Sequence, residues 1–447
     1  MTMSNTNANA PVVIIGAGLA GLTSAIYLRR QGISVHVFEA SPHLAGLARS
    51  FESGDGFTYD FGAHFITNRL AAAVGFSAQC IHVPRYGESF WLRGRPCRYP
   101  FGFARRPKFV ASALAAKLNV FGSKPSTAAE WFRGKYGRAL ADEVAIPLTE
   151  AWCGAPADSL STAVGDKIPS SILKTFLLRV SGKMSRKTVA IGYCHTLPES
   201  AHVWHVYPRG GVGALCQHMA DEVRDCIQTE SPVEAILTDG KRATGVRVKG
   251  EEIPAAAVIS TAPVHILAKL VQGTDLLQPL SKFRYRPMVF VNMRFEGRGL
   301  LPDVVVWTPG KEFPFFRLTE TPLSMPWLAP KGKTMITADL GCAVGDETWK
   351  LPDEELGRLC LGHVKKLIPD AESRYDGCRI LRTPLAYPVF LNEYEPQRKA
   401  LEKSTGIERL YSVGRNGEFA HILMEDVFWR TRRKMRQVVK DLTLTPA

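Results

Sequence analysis

A chain of 447 residues is too long for one hydrophobic core and implies two or three domains; 45% apolar and 22% charged residues are the profile of an ordinary globular protein. Nine scattered cysteines without a C-x-x-C pair speak for reduced thiols, against a disulfide framework or a structural zinc site, and so for the cytoplasm. No apolar run approaches a membrane span, and residues 1–10 read as a polar leader without the apolar stretch of a signal peptide. The formal charge of +14 leaves room for a solvated surface, an anionic substrate or a phospholipid surface, and no nucleic-acid recognition motif accompanies it.

The first element is Pro11-Val-Val-Ile-Ile-Gly-Ala-Gly-Leu-Ala-Gly21, a buried parallel strand running into a glycine-rich turn. A helix is expected over Leu22 to Gln31, stopped by Gly32, then a second strand over Ser34 to Glu39. Gly16 makes the tight turn, Gly18 lets the backbone approach a pyrophosphate, and Gly21 allows close helix–strand packing. The pyrophosphate then rests on the free N–H groups of the helix start, where Leu19 and Ala20 also lie. Glu39 ends the second strand where a carboxylate accepts ribose hydroxyls.

Between Arg85 and Arg138 stand twelve Lys or Arg residues against Glu88 and Glu130. Lys117 falls beside Leu114, Leu118 and Val120 on an amphipathic helix, which makes peripheral membrane contact one reading of this segment. Residues 91–205 are expected to be mostly helical, with apolar helical spacing around Trp131, Phe132 and Leu140 to Leu148. Tyr207-Pro-Arg-Gly-Gly-Val-Gly-Ala-Leu215 precedes a helix to about Cys226, then come a strand insert over Val233 to Val248 and a return strand Ala257 to Ser260. Residues 282–345 read as a sheet with Pro322, Pro326 and Pro330 in its loops. The last strand and glycine turn are Arg409-Leu-Tyr-Ser-Val-Gly-Arg-Asn-Gly417, and a final helix starts near Met424, with the basic run Arg430 to Arg436 in it.

After Glu39 the chain continues Ala40-Ser-Pro-His-Leu-Ala-Gly-Leu-Ala-Arg49 and Thr58-Tyr-Asp-Phe-Gly-Ala-His64. This extension resembles that of FAD enzymes of the amine oxidase, phytoene desaturase and protoporphyrinogen oxidase superfamily. Thr127 to Gly137 and Pro147 to Ser161 look like the protoporphyrinogen-oxidase-like branch. Arg382 to Tyr394 and Gly414 to Asp426 are similar both to that branch and to UDP-galactopyranose mutases. The resemblance implies an α/β fold of the glutathione-reductase type: a Rossmann-type FAD-binding domain interwoven with an α+β substrate domain. Its pieces would be 1–90, 206–265 and 386–447 on the cofactor side, a helical part 91–205 and a sheet 266–385 on the substrate side.

The resemblance also implies FAD contacts from Ala40, Gly46, Leu47, Ala48, Arg49, Gly62, Ala63, Val233, Gly414, Arg415 and Met424, beside Gly16, Gly18, Leu19, Ala20, Gly21 and Glu39. Arg49 is either a partner of the cofactor phosphates or one half of a surface ion pair. Ala45 stands where relatives have glycine, an exchange that is harmless if the backbone there avoids positive φ. At the mutases' Tyr-Tyr-Asp-Met-Asp stretch this chain has His421, Ile422, Leu423, Met424 and Glu425, so the positions that grip sugar hydroxyls have turned apolar.

His64 and His421 are the histidines placed for proton transfer beside the flavin, local structure being the plainer role for each. His195, His202 and His205 cluster in sequence, but with only Glu199 nearby no metal site is expected. The final helix should aim its positive end at the flavin. These features describe an FAD-dependent oxidase or dehydrogenase that takes hydride from a C–N or C–C bond of a small organic substrate, with the basic stretch favouring an anionic one. The alternative is a non-redox isomerase of the nucleotide-sugar mutase kind.

Overall fold

The computed structural model describes residues 10–52, 54–118, 124–167 and 172–444, so most of the polar leader and Val120 of the basic segment lie outside the described residues. Val12–Ile15 is apolar at every position because both of its faces are covered. It lies in a five-stranded parallel sheet of order Ile227–Gln228, Val35–Phe38, Val12–Ile15, Ala257–Ser260, Leu410–Ser412. Val12 and Ile14 share a core with the helices Leu19–Arg29, Gly213–Asp221 and Met424–Leu444. Val13 and Ile15 face the other way, into a core that holds Ile236 and Val246 of the strand insert. That insert is the antiparallel set Val233–Thr238, Ala243–Val248 and Glu251–Pro254, with Val271–Gln272 added in parallel.

The second sheet has seven strands, in the order Tyr375–Pro388, Tyr285–Glu296, Lys333–Gly341, Arg317–Glu320, Val305–Trp307, Glu88–Leu92, Arg95–Arg98. Val289, Val291, Leu318, Ala338 and Leu340 on one face bury themselves under Leu356, Cys360 and Val364 of the helix Asp353–Val364. The opposite face looks toward the nucleotide side, and alternation along each strand decides which residues it presents. Two expectations differ here. The segment from 91 is not mostly helical at its start, because Glu88–Leu92 and Arg95–Arg98 pair with each other and the first of them runs parallel to Val305–Trp307. The boundaries drawn at 90 and 385 therefore fall inside the strands Glu88–Leu92 and Tyr375–Pro388.

The helical part begins with Pro107–Leu118 and Ala128–Tyr136. Thr127 caps the second of these by accepting the Glu130 amide at 3.2 Å, while Glu130 accepts the Ser126 amide at 2.8 Å. A further helix from Arg138 widens into a π turn over Ala141–Ala145 just before Pro147, whose missing N–H breaks the regular ladder, and it ends at Gly154 with φ 67°. Among the described residues no helix is long and apolar enough to cross a membrane.

Candidate active site

The nucleotide end is built from the backbone. Gly16 has φ 97°, and a Cβ there would come within 2.3 Å of Thr261 Oγ1. A Cβ on Gly21 would reach the Gly16 carbonyl oxygen at 1.9 Å, so the helix can start at Leu19, earlier than the pattern suggests, and still lie against the strand. Gly18 has open space before it, the nearest obstacle being the Ala45 oxygen at 3.9 Å. Leu19, Ala20 and Gly21 offer amides that have no helical acceptor. The cradle is one that a side chain at Gly18 would fill, which fits a pyrophosphate.

Glu39 stands at the end of the second strand with Oε2 accepting the Ala17 amide at 2.8 Å and Oε1 accepting the Ser41 amide at 2.9 Å. Each oxygen keeps a lone pair for a ribose hydroxyl. Ala40 beside it is exposed. The Ser231 amide donates to the Glu39 carbonyl at 2.9 Å, which brings the start of the strand at Val233 to this corner. Gly46, Leu47 and Ala48 form a short turn opposite Gly18, with a Gly46 Cβ position 3.7 Å from the Gly18 Cα. Ala45 before them has φ 77°, so the condition for a harmless exchange is not met and this alanine carries backbone strain. No carboxylate pairs with Arg49 among the described residues; its guanidinium lies 4.6 Å from the centre of the Phe51 ring. The ion-pair alternative for Arg49 thus finds no partner there.

From the hairpin Ser50–Glu52/Thr58–Asp60, whose second strand is buried, the chain turns through Gly62, φ 76°, into Ala63 and His64. Asp60 anchors this turn by accepting hydrogen bonds from Ser50 and Tyr207, and burial raises its pKa. A Cβ on Gly62 would press on the Phe290 ring at 2.8 Å and approach an Arg317 nitrogen at 3.3 Å. His64 Nε2 is shut off from solvent and has no partner. Burial, with the Arg415 and Arg317 charges beside it, pulls the imidazole down to about 4, so it is neutral at ordinary pH.

The seven-stranded sheet supplies the facing wall. Phe90, Trp307, Arg317, Asp339 and Phe290 are cross-strand neighbours in one row, each opposite the next. Arg317 pairs with Asp339 and lies over Trp307, 5.4 Å from the ring centre. Burial works against the Arg317 charge, but Asp339 outweighs it and the guanidinium is raised. Glu88 accepts from the Tyr86 hydroxyl at 2.5 Å and from the Trp307 indole at 3.0 Å, and Tyr193 donates to Tyr86 at 3.3 Å.

Gly414, φ 83°, packs so closely on Ala20 that its Cβ would sit 2.7 Å from the alanine methyl. The next residue, Arg415, donates to the Ala386 carbonyl at 2.8 Å and lies 5.0 Å from the centre of the Tyr387 ring. His421 packs at 5.1 Å on Tyr387 and at 5.9 Å on Trp152. His64, His421, Arg415 and Gly62 are therefore brought together with Arg317, Asp339 and Tyr387.

Others separate. Ile422 is 8% exposed and packs in the core with Val427 and Phe428. Leu423 and Met424 are half-buried at the helix start. The first turn of that helix also holds two buried acids: Glu425 pairs with Arg69, and Asp426 accepts the His195 and Thr196 amides at 2.8 and 2.7 Å. These carboxylates share the positive helix end. His195 and His202 are exposed, whereas His205 is wholly buried among Phe65, Tyr86 and Tyr193, and burial takes it down to about 3. No group of three potential ligands forms a metal site among the described residues.

Arg317, Asp339, Tyr86 and Tyr387 have no assigned role in the sequence pattern, and Glu88 figures there only as an acid within the basic segment. A signal exists for Asp339, a charge flanked by Ala338 and Leu340 in a strand that is buried almost throughout; the strand Arg-Leu-Thr-Glu that holds Arg317 offers none. Tyr387 stands in a quoted motif without a role of its own.

The family described as flavin containing amine oxidoreductase matches this chain over residues 19–428. The zeta-carotene-forming phytoene desaturase of Myxococcus xanthus is 26% identical over 382 residues, 74% of this chain and 72% of that protein. The hydroxysqualene dehydroxylase of Rhodopseudomonas palustris is 37% identical, but over only 97 residues, so the chain spans about a fifth (22%) of that protein's length and 22% of its own. In fold, the chain is similar to reduced UDP-galactopyranose mutase, with a TM-score of 0.77 at 20% identity over 96% of both chains. With a glycine cradle open to a pyrophosphate and a fixed carboxylate beside it, the chain belongs to the flavin-containing amine oxidoreductases, a family of enzymes whose cofactor is FAD.

Proposed function

We propose that this enzyme is an oxidase or dehydrogenase that removes hydride from a C–N or C–C bond of a small organic substrate. The observation that carries the reading is the meeting of the Gly62–His64 end of the cofactor cradle with the Trp307–Arg317–Asp339 row of the facing sheet. When bound, FAD supplies a two-electron acceptor at that place. His64 Nε2, neutral and closed to water, holds a lone pair for the proton that the substrate sheds. His421 braces Tyr387, and Glu88 fixes Tyr86 and Trp307, so the aromatic walls are held before substrate enters. The Myxococcus relative, named as a desaturase, supports the C–C side of the reading.

Under this reading the five-stranded sheet and its insert form the cofactor unit, and the helical part with the seven-stranded sheet forms the substrate unit. All nine cysteines are free thiols, which supports a reducing compartment such as the cytoplasm. Anaerobic mixing of the yellow protein with candidate amines and unsaturated substrates tests the reaction. Bleaching of the flavin band by substrate alone is expected. Turnover that appears only after chemical reduction, without bleaching by substrate, overturns the reading in favour of a non-redox isomerase.

A further inference from the structure

We infer that Arg415 and Arg317 form a seat for an anionic group of the substrate, an oxyanion carried on a planar body; this rests on the proposed reading that substrate meets the flavin between His64 and the seven-stranded sheet. Two half-buried guanidinium groups lie beside His64, and among the described residues only Arg317 has a carboxylate, Asp339, to answer it. Arg415 has none among the described residues; it donates to the Ala386 carbonyl at 2.8 Å and to the Tyr387 side chain, whose ring centre lies 5.0 Å away. Burial and the Arg317 charge depress the Arg415 guanidinium, which marks a cation held at a disadvantage.

The acids nearby are already committed. Glu88 is taken by the Tyr86 hydroxyl and the Trp307 indole, and Glu418, beside Gly414, pairs with Arg430 at 2.6 Å. The Nε donors of Arg317 and Arg415 are both closed to solvent and both lack an acceptor. Buried donors are nearly always satisfied, so two orphaned Nε atoms side by side point to an acceptor that the protein itself does not supply. One oxyanion would answer both defects, because guanidinium presents a fixed fork of donors to a carboxylate or phosphate. Trp307 and Tyr387 stack on the two guanidinium groups, so the adjoining walls are flat and favour a planar body.

The test is equilibrium binding to the FAD-loaded protein, read from the perturbed flavin spectrum and requiring no turnover. The probes are benzoate, phenyl phosphate and the neutral benzamide. One of the two anions should bind at least about tenfold more tightly than benzamide, a preference of roughly 1.4 kcal/mol, and the better one identifies the oxyanion. Arg415→Met should erase that preference and Arg415→Lys should restore part of it, each measured on protein reconstituted with FAD. Benzamide binding as tightly as both anions overturns the seat on the unaltered protein alone, whether or not the variants fold. Loss of FAD from Arg415→Met with anion binding preserved on reconstitution overturns it too, by assigning Arg415 to the cofactor. Bleaching by substrates without anion preference would refute the seat and leave the hydride reading standing; anion preference without bleaching would do the reverse.

Discussion

Ala45 holds a left-handed backbone, φ 77°, while its amide donates to the Ala17 carbonyl at 3.0 Å, so a strained residue clips the loop after the second strand onto the glycine turn. A left-handed non-glycine residue is disfavoured by about 1–2 kcal/mol. Glycine in its place loses about 0.5–1 kcal/mol through the freedom it gains in the unfolded chain. The relief is the larger effect. Ala45→Gly should therefore stabilise the protein by roughly 0.5–1 kcal/mol, raising Tm by about half a degree to one degree in a chain of this size. Thermal unfolding of the apo and FAD-loaded forms decides; a lower Tm would mean that the surrounding turn has removed the strain.

Glu39 works in two directions, toward the Ala17 and Ser41 amides and toward the ribose. Glu39→Ala removes both, Glu39→Gln keeps one acceptor oxygen. Hydrogen bonds with one charged partner contribute about 1.5–3 kcal/mol, so the alanine variant should bind FAD at least about tenfold more weakly, with the glutamine variant between. Fluorescence titration of the apoprotein with FAD measures this directly. Equal affinity for all three proteins would remove Glu39 from the cofactor site.

How much of this was legible depends on sequence distance. Gly16 to Glu39 is a local unit, in which strand, turn, helix and second strand follow without interruption, so its chemistry can be read along the chain. Asp339 and Arg317 pair across adjacent strands, but two helical turns, Thr321–Ser324 and Pro326–Leu328, intervene and hide the register. Glu88–Leu92 joins Val305–Trp307 in parallel from more than two hundred residues away, and no local pattern announces such a partner. Ala45 is a different case. Its identity was plain, but whether an alanine is strained depends on a dihedral angle that composition does not carry.

Ile422 and Leu423 illustrate the same limit and separate on mutation. Ile422→Asn buries an amide in the core with Val427 and Phe428 and should destabilise the fold by about 2–4 kcal/mol. Leu423→Trp, at a half-buried position next to it, should keep the fold and FAD while raising KM. Urea unfolding and steady-state kinetics on the two variants check the split. If Leu423→Trp releases the flavin with kinetics otherwise intact, Leu423 packs on the cofactor or core.

Acid should weaken the fold through two histidines. His64 at about 4 and His205 at about 3 both lie below the usual 6.5 of an unfolded chain. As pH falls below about 6.5 the unfolded chain takes up protons that the folded chain refuses, so stability falls with pH, by up to about 1.4 kcal/mol per unit for each group. Above that pH neither contributes. Urea unfolding between about pH 7.5 and 4.5 should show a shallower slope for His205→Phe, which swaps the imidazole for a ring among Phe65, Tyr86 and Tyr193. In kinetics, kcat/KM should lack an acid limb near 6.5, and one nearer 4 should vanish in His64→Gln. A limb at 6.5 that survives His64→Gln would assign proton transfer elsewhere.

The basic segment carries a prediction of membrane contact. Some of its charge is spent inside the protein, as Arg93 with Glu143, Arg98 with Asp303 and Arg133 with Asp142. The helix Pro107–Leu118 nevertheless turns Leu114 and Leu118 outward, 58% and 81% exposed, beside the exposed Lys108 and Lys117. The helix Ile172–Ser185 does likewise with Leu177 and Met184, 59% and 83% exposed, beside Lys183. The two are linked by a ladder of rings: Arg179 lies over Tyr99, Tyr99 packs on Phe103, and Phe103 packs on Phe109. Apolar side chains ringed by lysines suit the headgroup region of an anionic bilayer, each cation contributing about 1 kcal/mol near the surface. The protein should sediment with vesicles containing about 30% phosphatidylserine at low salt, and lose most of that binding at about 0.5 M salt, where the Debye length shrinks to a few ångströms. Leu118→Ser with Met184→Ser should weaken binding at low salt, and Lys117→Glu with Lys183→Glu should abolish it. Absence of vesicle binding at low salt would return these lysines to a solvated surface, and binding that resists salt but not the serine changes would make the contact an apolar one.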